Sequence, residues 1–211
     1  MENLAIFNSN IEVLAPNPFD VKSGFKRLYL EKVHFTKTNR KGYLQRLFHI
    51  SSKADKLYIS NCDLGHLNYT LIDGDFNFAN ISNNSLSIGQ EVAMRISANN
   101  INITGNQMTR SASGRIALEC KDSLHMENNQ VANSKNQTSF DMFDIKFGQN
   151  LRTVILSHSN LGRIESNFMS GVRIQYLEIS HNNLKLDSEN IFNIEAGMRL
   201  NINKSIINLR I

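Results

Sequence analysis

Proline and tryptophan are almost missing from this chain of 211 residues, which has 2 of the first and 0 of the second. Scarce proline beside abundant asparagine favours a coiled stack with recurrent tight turns over long helices. No run of about 18 apolar residues occurs, so no segment reads as a membrane-spanning helix. The opening stretch MENLAIFNSNIEVL lacks a basic region followed by an apolar one, so the chain as given carries no secretory signal. A glycine-rich phosphate loop, a zinc-protease helix and a nucleophile elbow are all missing, and the chemistries that depend on them have no sequence support. The 2 cysteines form no capping cluster at either end. A formal charge of +4 and a pI near 9.1 permit an acidic partner without demanding one.

What the chain has in excess is asparagine, 29 of 211 residues, together with apolar residues set at a fixed interval. LRTVILSHSNLGRI, IQYLEISHNNLKL and GMRLNINKSIINL begin at Leu151, Ile174 and Gly197, a constant step of 23 residues. In each, apolar residues take the fourth, sixth and eleventh places, and a small polar residue takes the ninth. A period of this size is a solenoid signature, in which each unit packs only on its neighbours. The template extends back to Met1, Leu4, Ile6, Ser9, Ile11 and Leu14, then to Leu28, Leu30 and Val33, and to Leu57, Ile59, Cys62 and Leu64. Alternation at LxL puts apolar side chains on one face of a short strand and leaves the residues between them to solvent. Asparagine at the ninth place, as at Asn106, Asn129 and Asn182, is set to hydrogen-bond backbone groups where the chain leaves the strand.

These units resemble the leucine-rich repeat family, and Phe19, Phe168 and Phe192 resemble the phenylalanine spine of its extracellular type. The resemblance implies a horseshoe with a curved parallel sheet. Between Ile72 and Phe147 each unit gains a second alternating stretch, Ile96 with Ala98 and Leu118 with Cys120, so the central coils look like a right-handed β-helix. The expected fold is thus a β-rich solenoid with little helix. Residues 1–67 and 148–211 form leucine-rich-like units around β-helix-like coils over 68–147, the whole a piece of a longer array. Two stretches break the rhythm, Thr36 to Ala54 and Ala132 to Gln149. In the first, Leu44, Leu47 and Phe48 stand at helical spacing and read as a short helix or a loop.

Candidate chemistry is sparse. Cys62 and Cys120 read as buried thiols too far apart to bond. His158 and His181 share a register in successive units and are expected about 5 Å apart, yet zinc sites recruit three or four ligands, so no metal is assigned. Asp73, Asp75, Asp141 and Asp144 invite a hydrolase reading, although the two acids around Gly74 suit a turn. Asn68, Asn80, Asn83, Asn136 and Asn203 occupy Asn-x-Ser/Thr sequons; Asn102 does too, but within a strand.

The function expected is a non-catalytic recognition module presenting a concave β surface to a protein partner, with no nucleic acid and no cofactor. Its outward residues would be Tyr29, Glu31, Tyr58, Ser60, Asn102, Thr104, His125, Glu127, Ser157, His158, Glu178, Ser180 and His181. By the family resemblance its setting is extracellular or at the cell surface, with further repeats of the parent protein as neighbours. A carbohydrate-active β-helix enzyme and a purely structural spacer are the alternatives.

Overall fold

The structure is a computed structural model, and it describes residues 2–12, 19–21, 25–36, 46–110, 113–133, 142–159, 162–164, 172–186, 199–203 and 206–209. All regular elements among them are strands. In chain order these are β1 (Asn3–Glu12), β2 (Phe19–Val21), β3 (Arg27–Thr36), β4 (Arg46–Ser60), β5 (Asp63–Leu67), β6 (Thr70–Ser82), β7 (Ser85–Ile88), β8 (Val92–Thr104) and β9 (Gln107–Arg110). They continue as β10 (Arg115–Glu127), β11 (Gln130–Asn133), β12 (Phe143–Phe147), β13 (Asn150–Ser157), β14 (Gly162–Ile164), β15 (Arg173–Ser180), β16 (Asn183–Leu186), β17 (Arg199–Asn203) and β18 (Ile206–Leu209). Every pairing is parallel, and each links a strand to its equivalent in the next coil. The chain is a β-solenoid.

The LxL positions set the stack. One inward row runs Leu4, Leu28, Leu57, Ala79, Ile101, Leu124, Val154 and Leu177 through successive rungs. A second runs Leu30, Ile59, Ile81, Ile103, Met126, Leu156 and Ile179, all buried. These rows form the front face. After a corner the chain forms a side face, in which Leu86 sits over Met108 and Met108 over Val131.

A third face precedes the front one. It comprises β2, the first halves of β4, β6, β8 and β10, and β12. The second alternating stretch read from Ile96/Ala98 and Leu118/Cys120 is this strand, with those residues paired in register. It begins earlier than the sequence suggests, because Phe19 in β2 pairs and stacks with Phe48 in β4 at 4.8 Å between ring centroids. Leu47 and Phe48 are therefore strand residues and not part of a helix; Leu44, Phe168 and Phe192 lie outside the described residues. Size alternates across this layer: Phe76 stands between Ala54 and Ala98 in neighbouring rungs. A Cβ on Gly74 would come within 3.1 Å of the Phe76 ring, so glycine there makes room for it.

The corner between front and side faces is built alike in coil after coil. One residue in each takes the left-handed conformation: Asn61 (φ 53), Asn83 (φ 55), Gly105 (φ 66), Asn128 (φ 55), His158 (φ 48) and His181 (φ 53). Asparagine and glycine tolerate that region best, which accounts for much of the asparagine excess. The next residue points inward and carries a ladder. Its backbone N–H donates to the side chain one coil on: Cys62 to Asn84 Oδ1 (2.9 Å), Asn84 to Asn106 Oδ1 (3.0 Å), Asn106 to Asn129 Oδ1 (3.2 Å), Asn129 to Ser159 Oγ (3.1 Å) and Ser159 to Asn182 Oδ1 (2.9 Å). The amide nitrogens donate backward, Asn84 Nδ2 to the Ile59 carbonyl at 2.9 Å and Asn106 Nδ2 to that of Ile81 at 2.9 Å. Asn84, Asn106, Asn129 and Asn182 are all buried.

Replacing Asn106 by alanine strips an acceptor from Asn84 and a donor from Ile81 in a site closed to water, at a cost of about 2–4 kcal/mol. Asn99→Ala, at an exposed corner, is expected to stay within about 0.5 kcal/mol of the parent. Urea unfolding of the two variants checks the ladder, and equal midpoint shifts would refute its role.

Candidate functional site

Strict register turns single outward residues into continuous columns. On the front face one column runs Tyr29, Tyr58, Asn80, Asn102, His125, Ile155 and Glu178. The next runs Glu31, Ser60, Ser82, Thr104, Glu127, Ser157 and Ser180. Residues scattered over most of the chain thus share one surface. Tyr29 and Tyr58 stack nearly flat, 4.9 Å apart at 6°, and Phe78 extends the aromatic strip at 5.6 Å from Tyr58. Asn102 Nδ2 donates to Asn80 Oδ1 at 2.7 Å, and His125 lies 3.2 Å from Glu127.

Not every residue expected on this surface is available. Ser157 and Ser180 are buried, because the strand is already turning into the corner there. His158 and His181 follow them at the left-handed corner positions rather than on the strands. Their rings stack 4.4 Å apart at 10° and are exposed. Among the described residues no three His, Cys, Asp or Glu side chains gather where a metal ion could sit. Asn80, Phe78 and Tyr176 were not read as part of this face: Tyr176 is an alternate residue of a recognised strand, whereas Phe78 and Asn80 flank Ala79 in a unit whose small inward residue hides the LxL pattern.

Glu178 ends the column in a tight polar arrangement. Tyr176 Oη donates to one carboxylate oxygen at 2.6 Å and Ser180 Oγ to the other at 2.9 Å. The Tyr176 bond first, then Ser180, then the nearby His125 and His158, hold the Glu178 carboxyl below its ordinary pKa.

The third face carries a groove of about 670 Å³. One column along it runs His49, Asp73, Arg95, Ala117 and Asp144, and a second runs Asp75, Ser97, Glu119 and Lys146. Gly74 lies within β6, so Asp73 and Asp75 belong to a strand and not to a turn. Asp73 accepts from Arg46 at 2.9 Å, with His49 and Arg95 each at 3.8 Å. Lys121 holds Asp75 at 3.2 Å and Arg115 holds Asp144 at 3.3 Å. Three of the four acids noted in the sequence therefore line one groove, and Asp141 lies outside the described residues.

Other sequence candidates are isolated. Cys62 and Cys120 are free and buried. Burial pushes both thiols up, Cys120 to about 11, so each stays protonated at neutral pH. Of the sequon residues, Asn68 and Asn83 are exposed, while Asn80 donates to Ser82 at 3.0 Å. Asn136 and the side chain of Asn203 lie outside the described residues.

Because its folded pKa is lowered, Glu178 contributes stability above the pKa of the unfolded carboxyl, and that contribution is lost as pH falls through the folded value. Tyr176→Phe removes the principal donor, so the Glu178 carboxyl should titrate at higher pH and its contribution should disappear sooner on acidification. A carboxyl NMR titration of parent and variant reads this directly; coincident curves would dismiss the bond as a determinant.

Compared with known proteins, the chain matches no family, no curated protein and no solved structure.

Proposed function

We propose that this solenoid is a non-catalytic recognition module whose front face binds a protein partner. The observation that carries the reading is the aromatic strip of Tyr29, Tyr58 and Phe78 at one end of an unbroken outward column. Stacked tyrosines offer large area at small entropic cost, and tyrosine is enriched among the residues that dominate binding energy. Further along, His125 with Glu127 and the Tyr176–Glu178–Ser180 arrangement supply polar contacts already held in place. The leucine-rich resemblance of the LxL units favours the same role. The non-catalytic reading draws support from the third face, where Asp73, Asp75 and Asp144 are each held by a cation. Acid–base catalysis needs a carboxylate that faces its substrate, and these three already face cations of the protein. Exposed Asn68 and Asn83, both in sequons, support a secreted or cell-surface setting.

A photo-crosslinking residue introduced at Tyr58 or His125 should capture one defined protein from the surface and secreted proteins of the source organism. The same residue at Glu119, on the third face, should not. Tyr29→Ala is expected to cut capture from the His125 position by about tenfold or more. Identical adducts from both faces, or none from the front face, would defeat the proposal.

A further inference from the structure

The groove on the third face has a composition that the front-face role does not use. Its floor is low where Ser97 and Ala117 stand, and longer side chains rise around them: Asp75 and Arg95 on the near rungs, Glu119, Asp144 and Lys146 on the far ones. Short residues in the middle of two charged columns make a trough instead of a flat sheet.

Three adjacent rungs of this trough carry polar groups without a partner among the described residues. Ser97 Oγ, buried at the floor, has no hydrogen-bond partner among the described residues. Glu119 pairs in register with Ser97 on one side and with Lys146 on the other. Among the described residues, no ion pair engages either Glu119 or Lys146, although both line the groove. A hydroxyl that can both donate and accept, an acceptor carboxylate and a donor ammonium thus lie in a row of about 10 Å, at roughly 4.8 Å per rung.

We propose that this groove binds a neutral oligosaccharide. Charge balance selects neutrality, since the lining sets four carboxylates against three fixed cations, with Arg46 and Lys121 pairing Asp73 and Asp75 from beside it. A polyanion such as a nucleic acid or polyuronate would meet as much repulsion as attraction, and a polycation likewise. Shape selects an extended ligand. From His49 to Asp144 the column crosses five rungs, about 19 Å at the usual strand spacing, enough for three or four pyranose rings. Chemistry selects hydroxyls: each sugar hydroxyl donates to a carboxylate such as Glu119 while accepting from Lys146 or Arg95, the complementary use of both charge signs that charge-assisted hydrogen bonds reward. A peptide strand is disfavoured because β6, β8 and β10 already have ladder neighbours on both sides, leaving no free edge to extend.

The test is calorimetry with maltotetraose, cellotetraose, xylotetraose and tetra-N-acetylchitotetraose, with tetragalacturonate as the charged comparison. At least one neutral tetraose should bind, and its amide NMR shifts should map to β6, β8, β10 and β12. Glu119→Ala and Lys146→Ala, checked for parent-like circular dichroism, should each raise Kd about tenfold, the loss of one charge-assisted bond. Glu119→Gln, which keeps an acceptor, should recover part of the affinity, and Tyr58→Ala should leave it unchanged. Absence of binding by all four neutral sugars would overturn the proposal. So would tighter, salt-sensitive binding of tetragalacturonate, or groove variants that bind as the parent does.

Discussion

The corner ladder of buried asparagines is the interaction on which the rest of this molecule depends. A solenoid turns sharply once per face, and each turn leaves backbone N–H and C=O groups pointing at a dry interior. Leaving such groups unpaired costs more than most single contacts return. Asn84, Asn106 and Asn129 resolve this with one side chain per coil, accepting from the coil before and donating to a carbonyl of the same coil. The preceding left-handed residue aims that side chain inward. Neither half works without the other: left-handed backbone alone would expose the turn, and an inward amide alone would find no partner.

A ladder that links the coils from Cys62 to Asn182 also fixes register. Slipping one rung by a single residue would put the next LxL pair on the solvent face and break the amide contacts together, so the stack has one alignment. Functional surfaces follow from that alignment. Tyr29 meets Tyr58, and Ser97 meets Glu119, because the inward residues on either side of each are locked in register. Side chains on the outward columns are free to differ, which is how one framework carries an aromatic strip on its front face and a charged trough on its third.

The front face was legible in the sequence to the degree that its period was constant. Outward positions from Tyr29 to Glu178 follow once LxL is recognised, because strand alternation assigns sidedness without reference to any other part of the chain. Asn106, Asn129 and Asn182 were legible as turn-capping residues for the same reason. The corner conformation was harder to see, since Lys32, Gly105, His158 and His181 share with asparagine a backbone angle and no side-chain chemistry. That is why the two histidines read as strand neighbours although they stack at a turn. The groove was least legible. Its strands have no leucine repeat, their inward residues include Gly74, Ala98 and Cys120, and the sequence Asp-Gly-Asp has the composition of a turn. Only pairing across rungs shows that Asp73, Arg95 and Asp144 belong to one column.

The two interruptions of the repeat acquire a meaning from this topology. Between β3 and β12 the two longest connections are those from Thr36 to Arg46 and from Asn133 to Phe143. Both enter the third face: the first leads into the rung of His49, the second into the rung of Asp144, and these are the two end rungs of the groove. The coils between them, carrying Asp73, Arg95 and Glu119, enter through short turns of a few residues. Added length in a solenoid costs little thermodynamically wherever it falls, so stability alone gives no reason for both additions to share one corner. The middle rungs are entered through turns too short to reach over the trough. The added chain length therefore falls at the two ends of the face that carries the trough.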